Sequence, residues 1–279
     1  MKKTLSIFFL VFCCLGILKT QDTTELNSLL MRTTYKIQGD NGSLGTVFLL
    51  GKRTHPNSQY SYFVLVTARH VLDGISGDSA TIFFRSNEEG VYSTIPYRIA
   101  IRNKKRNLYT YHSTADVAAL YISTPINADI PLLPYELLST DQTIKKYNIH
   151  PGDELFCLGY PFGYETNPGS FPILRSGKIA SYPLTPVSKI KSFLLDFEIF
   201  KGNSGGPVYF IQNSRNYNDT IHIGETIQLI MGLVSSEATL EEKVKSLDEE
   251  RLITHKLNLA TIIQAEFIKE TIEMLPLKK

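Results

Sequence analysis

Gly202-Asn203-Ser204-Gly205-Gly206-Pro207-Val208 places one serine among glycines and then runs into the apolar stretch Tyr209-Phe210-Ile211. Such a turn suits a nucleophile. The hydroxyl must stand clear of its own chain, and nearby backbone N–H groups must be free to meet a developing oxyanion. Glycine reaches backbone angles closed to other residues, so it allows both. Serine is a weak nucleophile at neutral pH and needs a base, for which histidine is the natural side chain. The histidine in turn needs an acceptor that fixes its tautomer. Upstream stand Thr67-Ala68-Arg69-His70-Val71 and Ala115-Asp116-Val117-Ala118-Ala119-Leu120. Ser204 is therefore assigned as nucleophile, His70 as general base and then acid, and Asp116 as the carboxylate that orients it. The backbone N–H groups of Gly202 and Ser204 are expected to form the oxyanion hole. Asp116 precedes an apolar run, where an unpaired charge would be costly. His55, His112, His150, His222 and His255 lack a comparable setting and are read as structural.

Outward from these motifs the chain reads as short strands. Gly45–Leu50, Tyr60–Thr67, Ala80–Phe84, Val117–Ile122, Leu155–Leu158, Phe193–Ile199, Val208–Ile211 and Ile227–Val234 are apolar or β-branched runs separated by Gly, Asn, Asp, Ser and Pro. Many short strands with turns between them indicate a sandwich or barrels. Thr124–Tyr147, with Pro125, Pro131 and Pro134, reads as a connector between two β halves. Gln264–Leu275 carries Phe267, Ile268, Ile272 and Leu275 at helical spacing among charges, which predicts an amphipathic helix docked on the second half. Glu237–Arg251 is highly charged and is expected to be an exposed loop or short helix. Domain bounds follow: 1–20 a signal peptide, 21–125 a first β unit with His70 and Asp116, 126–147 the connector, and 148–279 a second β unit with Ser204 and the helix.

With 279 residues the chain can bury a sizeable core, and its formal net charge of +2 implies no bulk electrostatic partner, neither nucleic acid nor an anionic membrane. The densest basic cluster, Arg102-Asn103-Lys104-Lys105-Arg106, reads as a solvated loop. Lys2 and Lys3 precede an apolar run from Thr4 to Leu18, shorter than the ~20 residues a membrane span needs. That pattern predicts a cleaved export signal and hence a periplasmic or secreted protein, with lipid attachment at Cys13 or Cys14 as the alternative. Cys157, in the apolar Leu155–Leu158 run, would then be the one remaining cysteine and a buried structural thiol. No His/Cys cluster has metal-ligand spacing, and neither metal nor cofactor is expected. The expected partner is a protein or peptide substrate; the oligomeric state is not legible.

These motifs resemble the trypsin-like, chymotrypsin-fold serine proteases: Thr67-Ala68-Arg69-His70, Asp116-Val117-Ala118-Ala119-Leu120 and Gly202-Asn203-Ser204-Gly205-Gly206-Pro207, in the order His, Asp, Ser. Gly159-Tyr160-Pro161-Phe162-Gly163, Ser176-Gly177-Lys178-Ile179-Ala180-Ser181 and Leu257-Asn258-Leu259-Ala260 resemble the bacterial HtrA/Deg-like branch. The resemblance spans roughly Asn41–Leu275 and implies an all-β fold of two antiparallel six-stranded barrels with a C-terminal helix. It implies that His70 and Asp116 come from the first barrel and Ser204 from the second. It further implies that Val234-Ser235-Ser236 forms an edge on which an extended substrate pairs as an added strand. Glu198, six residues before Ser204, stands near where the family floors its specificity pocket, unless it faces solvent. Digestive relatives carry Asp where this chain has Asn203, so cleavage of the N-terminus should not be needed for activation. HtrA proteins usually carry a peptide-binding PDZ domain after the protease, and none is expected before Lys279.

Two other readings compete. Gly202, Ser204 and Gly206 also satisfy the G-x-S-x-G elbow of α/β-hydrolases, with Asp248 and His255 as partners, but that elbow needs a helix where Pro207–Ile211 reads as a strand. The other is a protease-like binding module without turnover; such a module usually lacks a triad residue or an oxyanion glycine, and this chain has them all.

Overall fold

The computed structural model describes residues 25–54, 58, 61–245 and 250–276. The expected signal segment, Cys13, Cys14, His55 and Asp248 lie outside the described residues.

The first half opens with α1 (Leu26–Thr33), followed by β1 (Thr34–Gln38), β2 (Leu44–Arg53), β3 (Ser61–Thr67) and the short α2 (Arg69–Asp73). It continues through β4 (Ser79–Glu88), β5 (Val91–Ala100), a two-residue pair β6 (Arg102–Asn103) and β7 (Arg106–Asn107), β8 (Thr110–Tyr111) and β9 (Ala118–Tyr121). Seven of these strands form one sheet in the order β5-β4-β1-β2-β3-β9-β8. This departs from the expected six-stranded barrel: β4 and β5 form a long hairpin that adds length and an edge. β2 is buried on both faces, with Val47, Phe48, Leu49 and Leu50 no more than 1% exposed. One face meets the sheet interior and the other meets α1, which buries Leu26 and Leu30. Each such leucine contributes ~1.5–3 kcal/mol of burial.

The connector holds a single turn at Tyr135–Leu137 and α3 (Asp141–Lys146). Thr140 caps α3, accepting from the Thr143 N–H while Thr143 Oγ1 accepts from the Thr140 N–H. This reciprocal cap satisfies two donors at once.

The second half is a closed antiparallel barrel of β10 (Glu154–Gly159), β11 (Ile173–Ile179), β12 (Ser192–Asp196), β15 (Glu250–Gln264), β14 (Thr220–Lys245) and β13 (Pro207–Tyr217), in that order around the barrel. Over its described residues the charged stretch 237–251 is not a loop or helix: residues 237–245 belong to β14 and residues 250–251 to β15, paired from Glu237↔Ala260 to Lys245↔Glu250 with a register shift between Glu237 and Thr239. Its described side chains are largely exposed, so backbone pairing rather than burial sets its shape. The expected strand Phe193–Ile199 ends at Asp196. The basic cluster 102–106 is not a solvated loop but the β6–β7 hairpin. Lys104 and Lys105 turn it at φ 47° and 70°, and Arg102 donates to the carbonyls of Leu72, Ile75 and Gly77.

The last helix, α4 (Ala265–Glu273), buries Phe267, Ile268, Thr271 and Ile272. It packs on β14 and β15 as expected, and also on β8 and β9 of the first half. Lys52 donates to the Ile272 carbonyl at 3.1 Å and His112 pairs with Glu270 at 2.9 Å, so α4 ties the halves together. Among the described residues no helix is long and apolar enough to cross a membrane.

Candidate active site

His70 sits in α2, directly after β3 brings Thr67 to the inter-half groove. Asp116 sits in the turn before β9, and β9 pairs with β3 through Thr67↔Ala118. That pairing brings the two side chains together. Asp116 Oδ2 lies 2.7 Å from His70 Nδ1, and Asp116 Oδ1 accepts the His70 backbone N–H at 3.0 Å. With the carboxylate ionised, Nδ1 donates and Nε2 remains the open acceptor. Burial pushes the Asp116 carboxyl up, but hydrogen bonds from His70 and Ser235 outweigh it and hold the group below the usual aspartate range.

Ser204 comes from the turn before β13 in the second half. Thr46 of β2 clamps that turn, its N–H donating to the Ser204 carbonyl at 2.9 Å and its Oγ1 to the Gly202 carbonyl at 2.6 Å. Gly205 has φ 86°, and a Cβ there would meet Thr67 Oγ1 at 2.1 Å. Only glycine therefore lets the turn approach β2 and β3 this closely. The Ser204 hydroxyl donates to the Ser235 carbonyl at 3.0 Å, and among the described residues no hydrogen bond joins it to His70.

The turn Phe200–Asn203 is closed by the Asn203 N–H on the Phe200 carbonyl at 3.0 Å. Its third residue, Gly202, has φ 101°, the type II form, and a Cβ there would meet the Tyr160 carbonyl at 2.1 Å. The Lys201 carbonyl accepts the Phe162 N–H at 2.6 Å. A peptide plane carries C=O and N–H in opposite directions, so the Gly202 N–H points away from Phe162. Among the described residues neither the Gly202 nor the Ser204 N–H has a protein acceptor. Both donors are free for a ligand oxygen.

Val234, Ser235 and Ser236 divide in role. Val234 is fully buried, and its N–H and carbonyl are taken up by Gly206 and Gly205 at 2.9 and 2.7 Å, so it offers nothing to a substrate. Ser235 falls at a register shift between β14 and β15. Such a bulge re-aims a side chain, and here Ser235 Oγ donates to Asp116 Oδ2 at 2.6 Å. Ser236 is exposed. Glu198 lies beyond the end of β12, partly buried, with its carbonyl bound by Arg175. Across from it, Lys256 pairs with Glu237 at 2.9 Å. That bond and the nearby Glu198 charge raise the Lys256 pKa above the ordinary lysine range. Asn203 is 2% exposed, and neither end of its amide has a partner among the described residues. Cys157 is buried and free, its thiol pushed up to about 12 by burial. Among the described residues no three His, Cys, Asp or Glu side chains converge as a metal site.

Sequence reasoning missed Thr46 as the clamp on the nucleophile turn, and Ser235 as a donor to Asp116. The signal for Thr46 was a hydroxyl inside the otherwise apolar run Gly45–Leu50.

The chain belongs to the trypsin-like peptidase domain family, whose model matches residues 45–214. Among curated proteins none matches it in sequence. Similar solved structures include a thermostable serine protease AL20 from an extremophilic microorganism, at 12% identity and TM-score 0.46 over 86% of this chain and 95% of that one. The protein HBP aligns at 12% identity and TM-score 0.47 over 87% and 90%. The protease Anisep from Arthrobacter nicotinovorans aligns at 12% identity and TM-score 0.45 over 88% and 96%.

Proposed function

We propose that this chain is an exported serine endopeptidase that cleaves peptide bonds through an acyl-enzyme, with Ser204, His70 and Asp116 as its triad. One observation supports this best. Asp116 holds His70 Nδ1 at 2.7 Å while two backbone donors flanking Ser204 stand free. In this reading, rotation about its Cα–Cβ bond takes the Ser204 hydroxyl from the Ser235 carbonyl, which it now meets at 3.0 Å, to Nε2 of His70. The imidazole accepts the proton as Oγ attacks the scissile carbonyl. The oxyanion meets the Gly202 and Ser204 N–H groups, each such donor being worth ~2.7–4 kcal/mol in the transition state. The imidazolium, stabilised by Asp116, returns the proton to the leaving amine. Water then enters by the same route and releases the acid. Ser235 and Ser236, rather than Val234, offer the pairing edge for the acyl side of the substrate. Glu198, six residues before Ser204, is the candidate acid for a basic side chain of the substrate. The HtrA/Deg-like kinship is proposed on the sequence of Gly159–Gly163, a segment whose backbone also packs on the oxyanion turn.

The orientation of the Ser204 hydroxyl is the one observation that favours a silent binding module instead. A fluorophosphonate probe decides between them. The protein lacking residues 1–20 should be labelled, Ser204→Ala should not, and both should fold. A folded chain that never takes the label overturns the hydrolase reading. Export is tested by N-terminal sequencing of the cell-envelope or secreted fraction; a cytoplasmic chain that begins at Met1 overturns it.

A further inference from the structure

Beyond Gly202, on the side away from Ser235 and Ser236, lies an open cavity of about 440 Å³ lined by Lys36, Gln38, Leu44, Phe162, Gly163 and Lys201. Its position relative to the nucleophile follows from two sets of contacts. Gly205 and Gly206 bind Val234, which places Ser204 beside the β14 edge. Gly202 and Gly163 each approach Leu44 so closely that a Cβ on either would lie 3.1 Å from Leu44 Cδ2. The reacting centre is therefore flanked by the edge on one side and this cavity on the other. If the acyl side pairs along Ser235–Ser236, as proposed above, the leaving side must pass over the cavity.

The chemistry of the lining is uneven. Lys36 is spent: its ammonium bonds Glu165 Oε2 at 2.6 Å and lies 4.4 Å over the Phe83 ring. Burial pushes the Glu165 carboxyl up, but bonds from Lys36 and Ser170 outweigh this and hold it below its usual range, in keeping with that pairing. Lys201 is exposed, and among the described residues its ammonium has no carboxylate partner. No acidic side chain lines the cavity. Phe162 is held at φ 54°, a left-handed conformation unfavourable for a bulky residue, yet its ring is 72% exposed and gains little burial in return. The ring packs on Phe200 with centroids 5.3 Å apart. Strained, exposed placements of this kind cluster at ligand-binding sites.

We propose that this cavity is the leaving-side subsite and selects substrates with an acidic residue, Asp or Glu, just beyond the scissile bond, its carboxylate on Lys201 and its stem on Phe162. This rests on the endopeptidase reading.

The test uses internally quenched peptides that share one acyl side, taken from a cleavage site mapped in casein, and carry Glu, Gln or Lys at the first two leaving-side positions. The quantity read is the ratio of kcat/KM values within each protein, so a general loss of activity cancels. The unaltered protein should prefer Glu over Gln by about threefold to fivefold, the upper part of the range of a solvent-facing ion pair. Raised salt should shrink that ratio. Lys201→Gln should abolish the preference and Lys201→Glu should reverse it toward Lys. A charge-blind ratio in the unaltered protein, or one that Lys201→Glu leaves in place, overturns the proposal. Where a variant does not fold, the salt titration of the unaltered protein is decisive, and a preference that salt leaves unchanged overturns the proposal. Fluorophosphonate labelling separates the two readings. A labelled, charge-blind enzyme sinks the subsite alone, whereas an unlabelled chain that cleaves nothing sinks both.

Discussion

Ser235 donates its hydroxyl to Oδ2 of Asp116 at 2.6 Å, the same oxygen that faces His70 Nδ1 at 2.7 Å. The carboxylate is three-quarters buried, with 25% of its side chain exposed, and depends on these donors to remain ionised. Its folded-state pKa is depressed, so the interaction contributes above the ordinary aspartate value and is lost as pH falls through the folded value. Ser235→Ala removes one donor. A hydrogen bond to a charged group is worth ~1.5–3 kcal/mol. Acid unfolding of Ser235→Ala should therefore begin at higher pH than in the parent, while stability near neutrality falls. Parallel acid titrations of circular dichroism on the two proteins check this; superimposable unfolding curves contradict it.

Thr46 reaches across from β2 to hold both ends of the oxyanion turn, at 2.9 Å on the Ser204 carbonyl and 2.6 Å on the Gly202 carbonyl. Thr46→Val keeps the shape and the backbone bond but removes the hydroxyl donor. The Gly202 carbonyl then loses its partner, at a cost of ~1–3 kcal/mol. If about half of that falls on the transition state, kcat drops roughly twofold to tenfold. KM should move little, because the ground-state pairing edge is untouched. A variant with parental kcat would show that Thr46 only packs.

The reactive centre was legible because its chemistry is local in sequence. Ser204 lies among three glycines within five residues, and His70 and Asp116 each stand in a short recognisable frame. Their meeting was not local, but the strand pairing Thr67↔Ala118 delivers it. The strand-rich architecture was legible for a similar reason, since apolar runs such as Gly45–Leu50 are long enough to mark strands. What failed depended on partners far away in the chain. Val234, Ser235 and Ser236 look alike as an edge, yet a register shift sends one inward to Asp116 and uses up another on Gly205 and Gly206. Residues 237–243 show no fully buried side chain, so their strand character comes from backbone pairing. Arg102 reads as a surface charge until three carbonyls converge on it.

Cys157 is 2% exposed and its thiol is pushed up to about 12 by burial. The thiolate is the reactive species, so the native chain should be silent to a disulfide exchange reagent at neutral pH. Under denaturant, reaction should appear together with loss of the native circular dichroism. Rapid modification of the folded protein at Cys157 contradicts the burial.

Asn203 carries a buried amide with no partner among the described residues. Asn203→Asp would place a carboxyl in the same volume, where ionisation has no nearby compensation and desolvation raises the pKa. Such a group destabilises above its folded pKa and relaxes below it. The variant should therefore be less stable than the parent at neutral pH by a few kcal/mol, with the gap closing toward acid. Urea unfolding at two pH values measures this, and a pH-independent gap would assign the loss to shape rather than charge.

Arg85 is fully buried, and among the described residues it has no carboxylate partner. Its guanidinium instead serves carbonyls: Met31 and Arg32 at 3.0 Å, Thr34 at 2.8 Å and Ser170 at 2.9 Å. It lies 4.3 Å from the Tyr35 ring and 4.4 Å from that of Phe171. Three of those carbonyls are at the end of α1 or just beyond it, where unpaired acceptors gather and a cation is favoured. The fourth belongs to the second half. Arg85 thus fastens α1, the first sheet and the 170 loop at one point. Arg85→Met fills similar volume but withdraws a donor from all four acceptors. Tyr35 Oη still donates to the Arg32 carbonyl at 2.6 Å, and Tyr160 Oη can still donate to one of the Thr34 and Ser170 carbonyls, at 3.2 and 2.9 Å. That leaves two acceptors short of a side-chain donor, each costing ~1–3 kcal/mol unless water replaces it. The loss should be at least ~2 kcal/mol, a sizeable share of the ~5–15 kcal/mol that holds a typical domain. Arg85→Lys keeps the charge but cannot reach all four oxygens, so it should rescue only part. If methionine proves as stable as arginine in urea unfolding, the carbonyls are satisfied by other means and the fastening lies elsewhere.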